Sequence, residues 1–241
     1  MKPRPIPPIR AVLFDKDGTL FDFHGTWAVW TANILTALAD GDGALAARLA
    51  ASIGFDPVAQ RFDPASPVIA GTPGEVTAIL LPHLPGMTAE ALTARLNAAA
   101  CEAPLVPAVP LAPLMADLRG RGLRLGVATN DAESAAHAHL QAAAVAGIFD
   151  FVAGYDSGFG AKPAPGMLLA FARAMGVAPA QVAMVGDSRH DLDAGRAAGM
   201  VTVAVLTGPA TAADLAPHAD HLLPDIGHLP ALLAGTAQPP G

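Results

Sequence analysis

A single cysteine, Cys101, stands among 241 residues, so no disulfide can form within the chain. Nothing beside it activates a thiolate, and it reads as an incidental thiol. Cations are also scarce. The 14 Lys and Arg against 21 Asp and Glu leave a net charge of −7, and no basic cluster occurs. Nucleic acid as a partner is therefore excluded, because a phosphate backbone demands such clusters. No uncharged apolar run reaches the roughly 18 residues a membrane helix needs. Alanine runs such as Ala98-Ala99-Ala100 carry much of the 52% hydrophobic content and favour helix. Four prolines in the first eight residues are incompatible with the apolar stretch of a signal peptide. No internal repeat appears. These absences lead to the expectation of a globular cytoplasmic protein with no membrane partner, in which the proline-rich start and residues 236–241 fray. They say nothing of oligomeric state.

What is present has a clear order. Residues 9–14 form an apolar, β-branched strand that ends at Asp15. From about residue 21 to 106 the pattern is helical, with loops and no strand. Trp27, Trp30, Ile34, Leu35 and Leu38 share one helix face. Prolines at 104, 107, 110 and 113 then lead into alternating helices and strands. The strands lie near 123–128, 151–153, 181–185 and 201–206. Strands apolar on both sides, alternating with helices, predict a parallel sheet covered on both faces. The fold expected is α/β: a Rossmann-like core of residues 1–20 and 107–241, with an α-helical cap inserted at 21–106. Hinges are expected near 20–24 and 104–108.

Polar residues cluster at the strand ends, where such sheets build their sites. They are Asp15-Lys16-Asp17-Gly18-Thr19, Thr129-Asn130-Asp131, Lys162-Pro163 on a following loop, and Gly186-Asp187-Ser188-Arg189-His190-Asp191. Asp15, Asp17, Asp187 and Asp191 near one point would repel one another without a cation among them. Hard carboxylate oxygens suit Mg²⁺. Thr129, Asn130 and Lys162 offer donors and charge for phosphate oxygens. A carboxylate can itself attack phosphorus, and Asp15 at a rigid strand end is the candidate nucleophile. Asp17, two residues on, is the candidate general acid and base. Ser188 reads as a helix N-cap rather than a ligand.

In this order and spacing the four segments resemble the motifs of the haloacid dehalogenase superfamily. The insertion after the first motif is similar to the helical cap of its phosphoglycolate phosphatase and β-phosphoglucomutase branch. The resemblance implies that Asp15 is nucleophile and metal ligand, and that Asp17 is acid/base and lends its backbone carbonyl to the metal. Asp187 would be a metal ligand, and Asp191 one directly or through water. Thr129 and Lys162 would hold the phosphoryl group. Asp17 argues against dehalogenation, since dehalogenases of the family lack that second acid. Mg²⁺-dependent hydrolysis of a small phosphomonoester is the function implied, with phosphoglycolate the first candidate. A phosphomutase, or a non-catalytic phosphate-binding protein on the same fold, is the alternative.

Lys16 stands where the family commonly has an apolar residue. Its stem is expected to pack on the rim with the ammonium outward; an inward Lys16 would perturb Asp15. The histidines, His139 among them, are expected mostly at the surface; His24, where the cap begins, is the one weighed as facing substrate, with the surface reading preferred. Trp27 and Trp30 are expected to build the core of the cap.

Overall fold

A computed structural model describes residues 8–234. The proline-rich opening at 1–7 and the tail at 236–241 lie outside the described residues. The chain runs β1 (Ala11–Phe14), α1 (Phe23–Ala39), α2 (Gly43–Ser52), β2 (Phe55–Asp56), β3 (Arg61–Phe62), α3 (Pro73–Leu80) and α4 (Ala89–Ala100). It continues with α5 (Leu111–Gly120), β4 (Arg124–Ala128), α6 (Glu133–Ala142), β5 (Phe151–Ala153), α7 (Gly166–Met175) and β6 (Val182–Gly186). It closes with α8 (Arg189–Ala198), β7 (Val201–Val205), α9 (Ala212–Leu215), β8 (His221–Leu223) and α10 (Leu229–Ala234).

Six strands form one sheet in the order β5-β4-β1-β6-β7-β8, and all its pairs are parallel. The alternation of side chains across a strand explains why β1 reads as continuously apolar. Val12 and Phe14 join Leu114, Met115 and Leu118 of α5 on one face. Ala11 and Leu13 join Met167, Leu168 and Phe171 of α7 on the other. Helices thus cover both sides of the sheet, as expected of this class. The strand order reverses at β1, whose neighbours are β4 on one side and β6 on the other. That reversal opens a crevice beyond the carboxyl ends of these three strands.

The segment between β1 and α5 packs around a second cluster, with Trp27, Leu35, Leu49, Leu80 and Leu92 among its members, which also takes in Ala132 and Ala135 at the start of α6. Local signals set its helices. Asp22 caps α1 by accepting from the Gly25 N–H at 2.6 Å. Thr72 and Glu75 form a capping box on α3, with Pro73 at the first turn. One expectation fails here: β2 and β3 pair as a small antiparallel hairpin inside a segment read as strandless. Two-residue strands are too short to show alternation. Ring contact between Phe55 and Phe62, with centroids 4.9 Å apart, accompanies the pairing.

The two chain crossings between the sheet and this segment lie side by side. The Asp22 N–H donates to the Val106 carbonyl at 2.7 Å, and the Ala108 N–H donates to the Leu20 carbonyl at 2.9 Å. The C-terminal elements α9, β8 and α10 were not legible, since each is short and β8 is a half-exposed edge strand.

Candidate active site

β1 delivers Asp15 to the crevice, and pairing with β6 holds it there: the Asp15 N–H donates to the Val185 carbonyl at 2.8 Å. The chain then turns sharply. Leu20 and Phe21 N–H groups both return to the Lys16 carbonyl, and the turn is completed by Gly18 at φ 81°. Gly18 is required here for its backbone and for space. A Cβ on Gly18 would lie 2.2 Å from Asp187 Oδ2, and one on Gly208 would lie 1.6 Å from the same oxygen. The Asp187 carboxylate occupies the cradle these glycines leave.

Lys162 ties the carboxylates together. Its Nζ donates to Asp15 Oδ1 at 2.5 Å, to Asp191 Oδ1 at 2.6 Å and to the Ala128 carbonyl at 2.8 Å. Asp15, Asp187 and Asp191 each place a ligand oxygen within 4.8 Å of the others. Burial raises Asp15 to about 7, helped by Asp191 and Asp17 and opposed by Lys162. Burial likewise holds Asp187 well above the usual carboxylate range, with Asp15 and Asp191 adding to the rise. Lys162 is raised despite its burial, because Asp15 and Asp191 hold its proton. Three crowded buried carboxylates facing one ammonium fit a hard divalent cation. The Asp17 carboxylate stands outside this set of three.

The second oxygen of Asp191 serves the backbone. Asp191 Oδ2 accepts from Ser188 N at 3.1 Å and Ser188 Oγ at 2.7 Å, completing a capping box at the start of α8. Ser188 is the helix cap the sequence indicated.

Asn130 does not present its amide to the crevice. Its Oδ1 accepts from Lys162 N at 2.8 Å, while its Nδ2 donates to the Lys162 and Ala70 carbonyls, each at 2.9 Å. It brackets the backbone of Lys162 and fastens the loop before α3 to the sheet edge. Thr129 Oγ1 accepts from Asp131 N at 3.0 Å, and its own proton remains for a ligand.

Lys16 corrects an expectation. It is wholly buried, not on the rim. Its Nζ lies 2.7 Å from Asp17 Oδ1, 3.2 Å from Asp131 Oδ2 and 3.0 Å from His139 Nδ1. It also stands over the Trp27 ring, 5.2 Å from the centroid. Burial opposes its charge, yet Asp17 and Asp131 raise its pKa above the ordinary lysine value. It turns away from Asp15 rather than toward it. His139 is a second correction, being buried rather than at the surface. Its Nε2 lies 2.7 Å from the Ala100 carbonyl at the end of α4. Desolvation, then the Lys16 charge, lowers its pKa. No local pattern could reveal that the two residues meet, since they lie 123 residues apart in the chain.

Trp27 packs in the helical cluster as expected, and its Nε1 also donates to Asp17 Oδ1 at 2.9 Å. Both Trp27 and Trp30 line a cavity that rises from the carboxylates into the helical segment. His24 is absent from that lining, whereas His190 is part of it.

Comparison with known proteins follows the same line. The family model "haloacid dehalogenase-like hydrolase" matches residues 9–199. Phosphoglycolate phosphatase of Escherichia coli (strain K12) is 39% identical over 98 residues, 41% of this chain and 39% of that protein. The matched stretch thus spans well under half the length of that curated relative. Among solved structures, a HAD phosphatase from Thermococcus onnurineus aligns with a TM-score of 0.66 at 22% identity, over 94% of this chain and 99% of that one. A β-phosphoglucomutase from Clostridium difficile aligns with a TM-score of 0.67 at 18% identity, over 95% and 97%. At these identities the likeness is one of fold. No helix among the described residues is long and apolar enough to cross a membrane.

Proposed function

We propose that this chain, which belongs to the haloacid dehalogenase-like hydrolase family, is a phosphatase that hydrolyses a small phosphomonoester through an aspartyl-phosphate on Asp15. The observation that carries this reading is the Lys162 ammonium, shared between Asp15 Oδ1 and Asp191 Oδ1 at the sheet's reversal point. A cation so held aligns the Asp15 carboxylate and adds positive charge where phosphoryl oxygens would gather.

In the first step an Asp15 oxygen bonds to phosphorus while the bond from phosphorus to the ester oxygen breaks. Asp17 gives its proton to that departing oxygen. In the second step water bonds to phosphorus, Asp17 takes a proton from it, and the bond from phosphorus to Asp15 breaks. Lys16 Nζ and Trp27 Nε1 both contact Asp17 Oδ1, so Oδ2 is the oxygen assigned to proton transfer. The Thr129 hydroxyl and N–H groups of the Asp15 loop would donate to the phosphoryl oxygens. Asn130 would act by holding Lys162 in place.

Asp15, Asp187 and Asp191, with the backbone carbonyl of Asp17, would hold Mg²⁺. When bound, it would neutralise the negative charge that the carboxylates and the phosphoryl group bring together. The all-oxygen donor set favours Mg²⁺ over softer metals.

We read residues 1–20 and 107–241 as the catalytic core and 21–106 as a cap hinged at 20–24 and 104–108. The paired crossings at Asp22–Val106 and Leu20–Ala108 would make the two linkers bend as one.

The test is phosphate release from a panel of phosphomonoesters, with Mg²⁺ or with EDTA, for the wild type and Asp15→Asn. Phosphoglycolate heads the panel on the strength of the curated relative. Mg²⁺-dependent release that the substitution abolishes is expected. Release indifferent to Asp15→Asn would overturn the reading. A requirement for a sugar bisphosphate would turn it toward a mutase.

A further inference from the structure

We infer that the ester cleaved here has an uncharged, mainly apolar leaving group. The inference rests on the phosphatase reading and narrows it to a substrate class.

The cavity above the carboxylates has two unlike ends. Its floor is Asp15, Asp17, Thr129, Lys162, Asp187 and Asp191, which accounts for a phosphoryl group and its cation. Its upper wall is Trp30, Ile34, Leu35, Val76, Leu80 and Leu96, drawn from α1, α3 and α4. The basic side chains in the lining are Lys162, already engaged by two carboxylates, and His190 on α8 at the mouth of the sheet. The helical segment contributes neither Arg nor Lys to the lining.

A second carboxylate or phosphate that reached the helical wall would therefore meet an apolar surface with no Arg or Lys to pair it. Burying an unpaired charge costs far more than the remaining contacts return. Glycolate, whose carboxylate lies one carbon from the ester oxygen, is a poor occupant on this ground. A sugar is also disfavoured, since its hydroxyls would need partners along the whole wall.

The few polar atoms of the wall point to neutral groups. Trp30 Nε1, Thr31 Oγ1 and Asn97 Oδ1 are buried and have no hydrogen-bond partner, and all three residues line the cavity. Buried polar atoms of folded proteins are normally satisfied. Each would have to turn toward the cavity to meet an occupant, and the groups they would then bring are an indole N–H donor, an amide oxygen acceptor and a hydroxyl, all uncharged. The occupant they fit is an apolar alcohol that carries one or two uncharged hydrogen-bonding groups, such as a hydroxyl or an amide.

The experiment is a series of alkyl phosphates, ethyl, butyl and hexyl, with 6-hydroxyhexyl phosphate and phosphoglycolate alongside. Aliphatic leaving groups of nearly constant basicity keep the chemical step comparable. The expected result is a kcat/KM that rises roughly fourfold for each methylene buried, with phosphoglycolate below ethyl phosphate. Leu96→Lys puts a cation in the wall. It should lower the ratio of kcat/KM for hexyl phosphate over phosphoglycolate by about tenfold or more, and this ratio does not depend on how much enzyme is folded. A flat series, or phosphoglycolate ranked first, with release still abolished by Asp15→Asn, overturns this inference and leaves the phosphatase reading standing. Absence of Asp15-dependent release from every ester overturns both.

Discussion

Lys16 Nζ and Asp17 Oδ1 lie 2.7 Å apart inside the protein, with the lysine fully buried. The residue between the proposed nucleophile and the proposed acid is thus an internal cation. It joins the Asp15 loop to Asp131 in the loop after β4, to His139 on α6 and to the Trp27 ring of the helical segment.

Removing that cation strands its partners. Lys16→Met leaves Asp17 and Asp131 without their buried ammonium. Breaking a buried pair from one side costs about 3 kcal/mol, or roughly 6–12 °C in Tm for a chain of this size. Turnover should fall with it, in kcat more than KM, because Asp17 loses one of its two anchors. The double variant Lys16→Met, Asp131→Asn should recover part of the stability. Thermal unfolding of the single and double variants decides this; equal losses would show that Asp131 is not a true partner.

Gly208→Ala tests the cradle of Asp187. The new Cβ would lie 1.6 Å from Asp187 Oδ2, so the carboxylate must move. Mg²⁺ titration of activity should show a half-saturating concentration raised by about tenfold or more, the scale seen when groups orienting a metal ligand are lost. An unchanged Mg²⁺ dependence would remove Asp187 from the metal site.

pH should act on the metal-free protein with a definite sign. Asp15 at about 7, and Asp187 well above its ordinary value, keep protons in the folded state that the unfolded chain releases near pH 4. The folded state then binds more protons across the interval from about 4 to 7, so stability falls as pH rises through it. Unfolding in EDTA should give a Tm lower at pH 7.5 than at pH 5. Added Mg²⁺ should raise Tm, and more at pH 7.5 than at pH 5, since it binds the carboxylates ionised. A Mg²⁺ shift equal at both values would contradict this.

Asn130→Asp tests whether Asn130 serves Lys162 rather than the substrate. The change is nearly isosteric but turns the amide donor to the Lys162 and Ala70 carbonyls into an acceptor. Displacing Lys162 should cost about 10- to 100-fold in kcat, since small misplacements of positioning groups reach that size. The loop before α3 should also exchange its amides faster.

The sequence alone carried the parallel sheet, the helices between β1 and α5, and the convergence of Asp15, Thr129, Lys162, Asp187 and Asp191. Each follows from local facts: two-sided apolar strands, and polar residues that begin where those strands stop. Ser188 as a cap is equally local, because its partner is Asp191 three residues on.

What only the tertiary structure decided is every contact whose partners lie far apart in the chain. Lys16 was expected outward because a lone lysine after a strand usually finds water. Its burial depends on Asp131 and His139, brought beneath it by the parallel crossover from β4 to α6. Asn130 was expected to meet phosphate, since an amide at a strand end has the right chemistry. The fold occupies that amide with the Lys162 backbone instead. The apolar wall above the carboxylates was likewise invisible. Its residues read as the core of a helical bundle, and no pattern along the chain distinguishes a side chain packed against its neighbours from one that faces a cavity. Periodicity reports which face of an element is apolar, whereas the space that face encloses is set by how several elements meet.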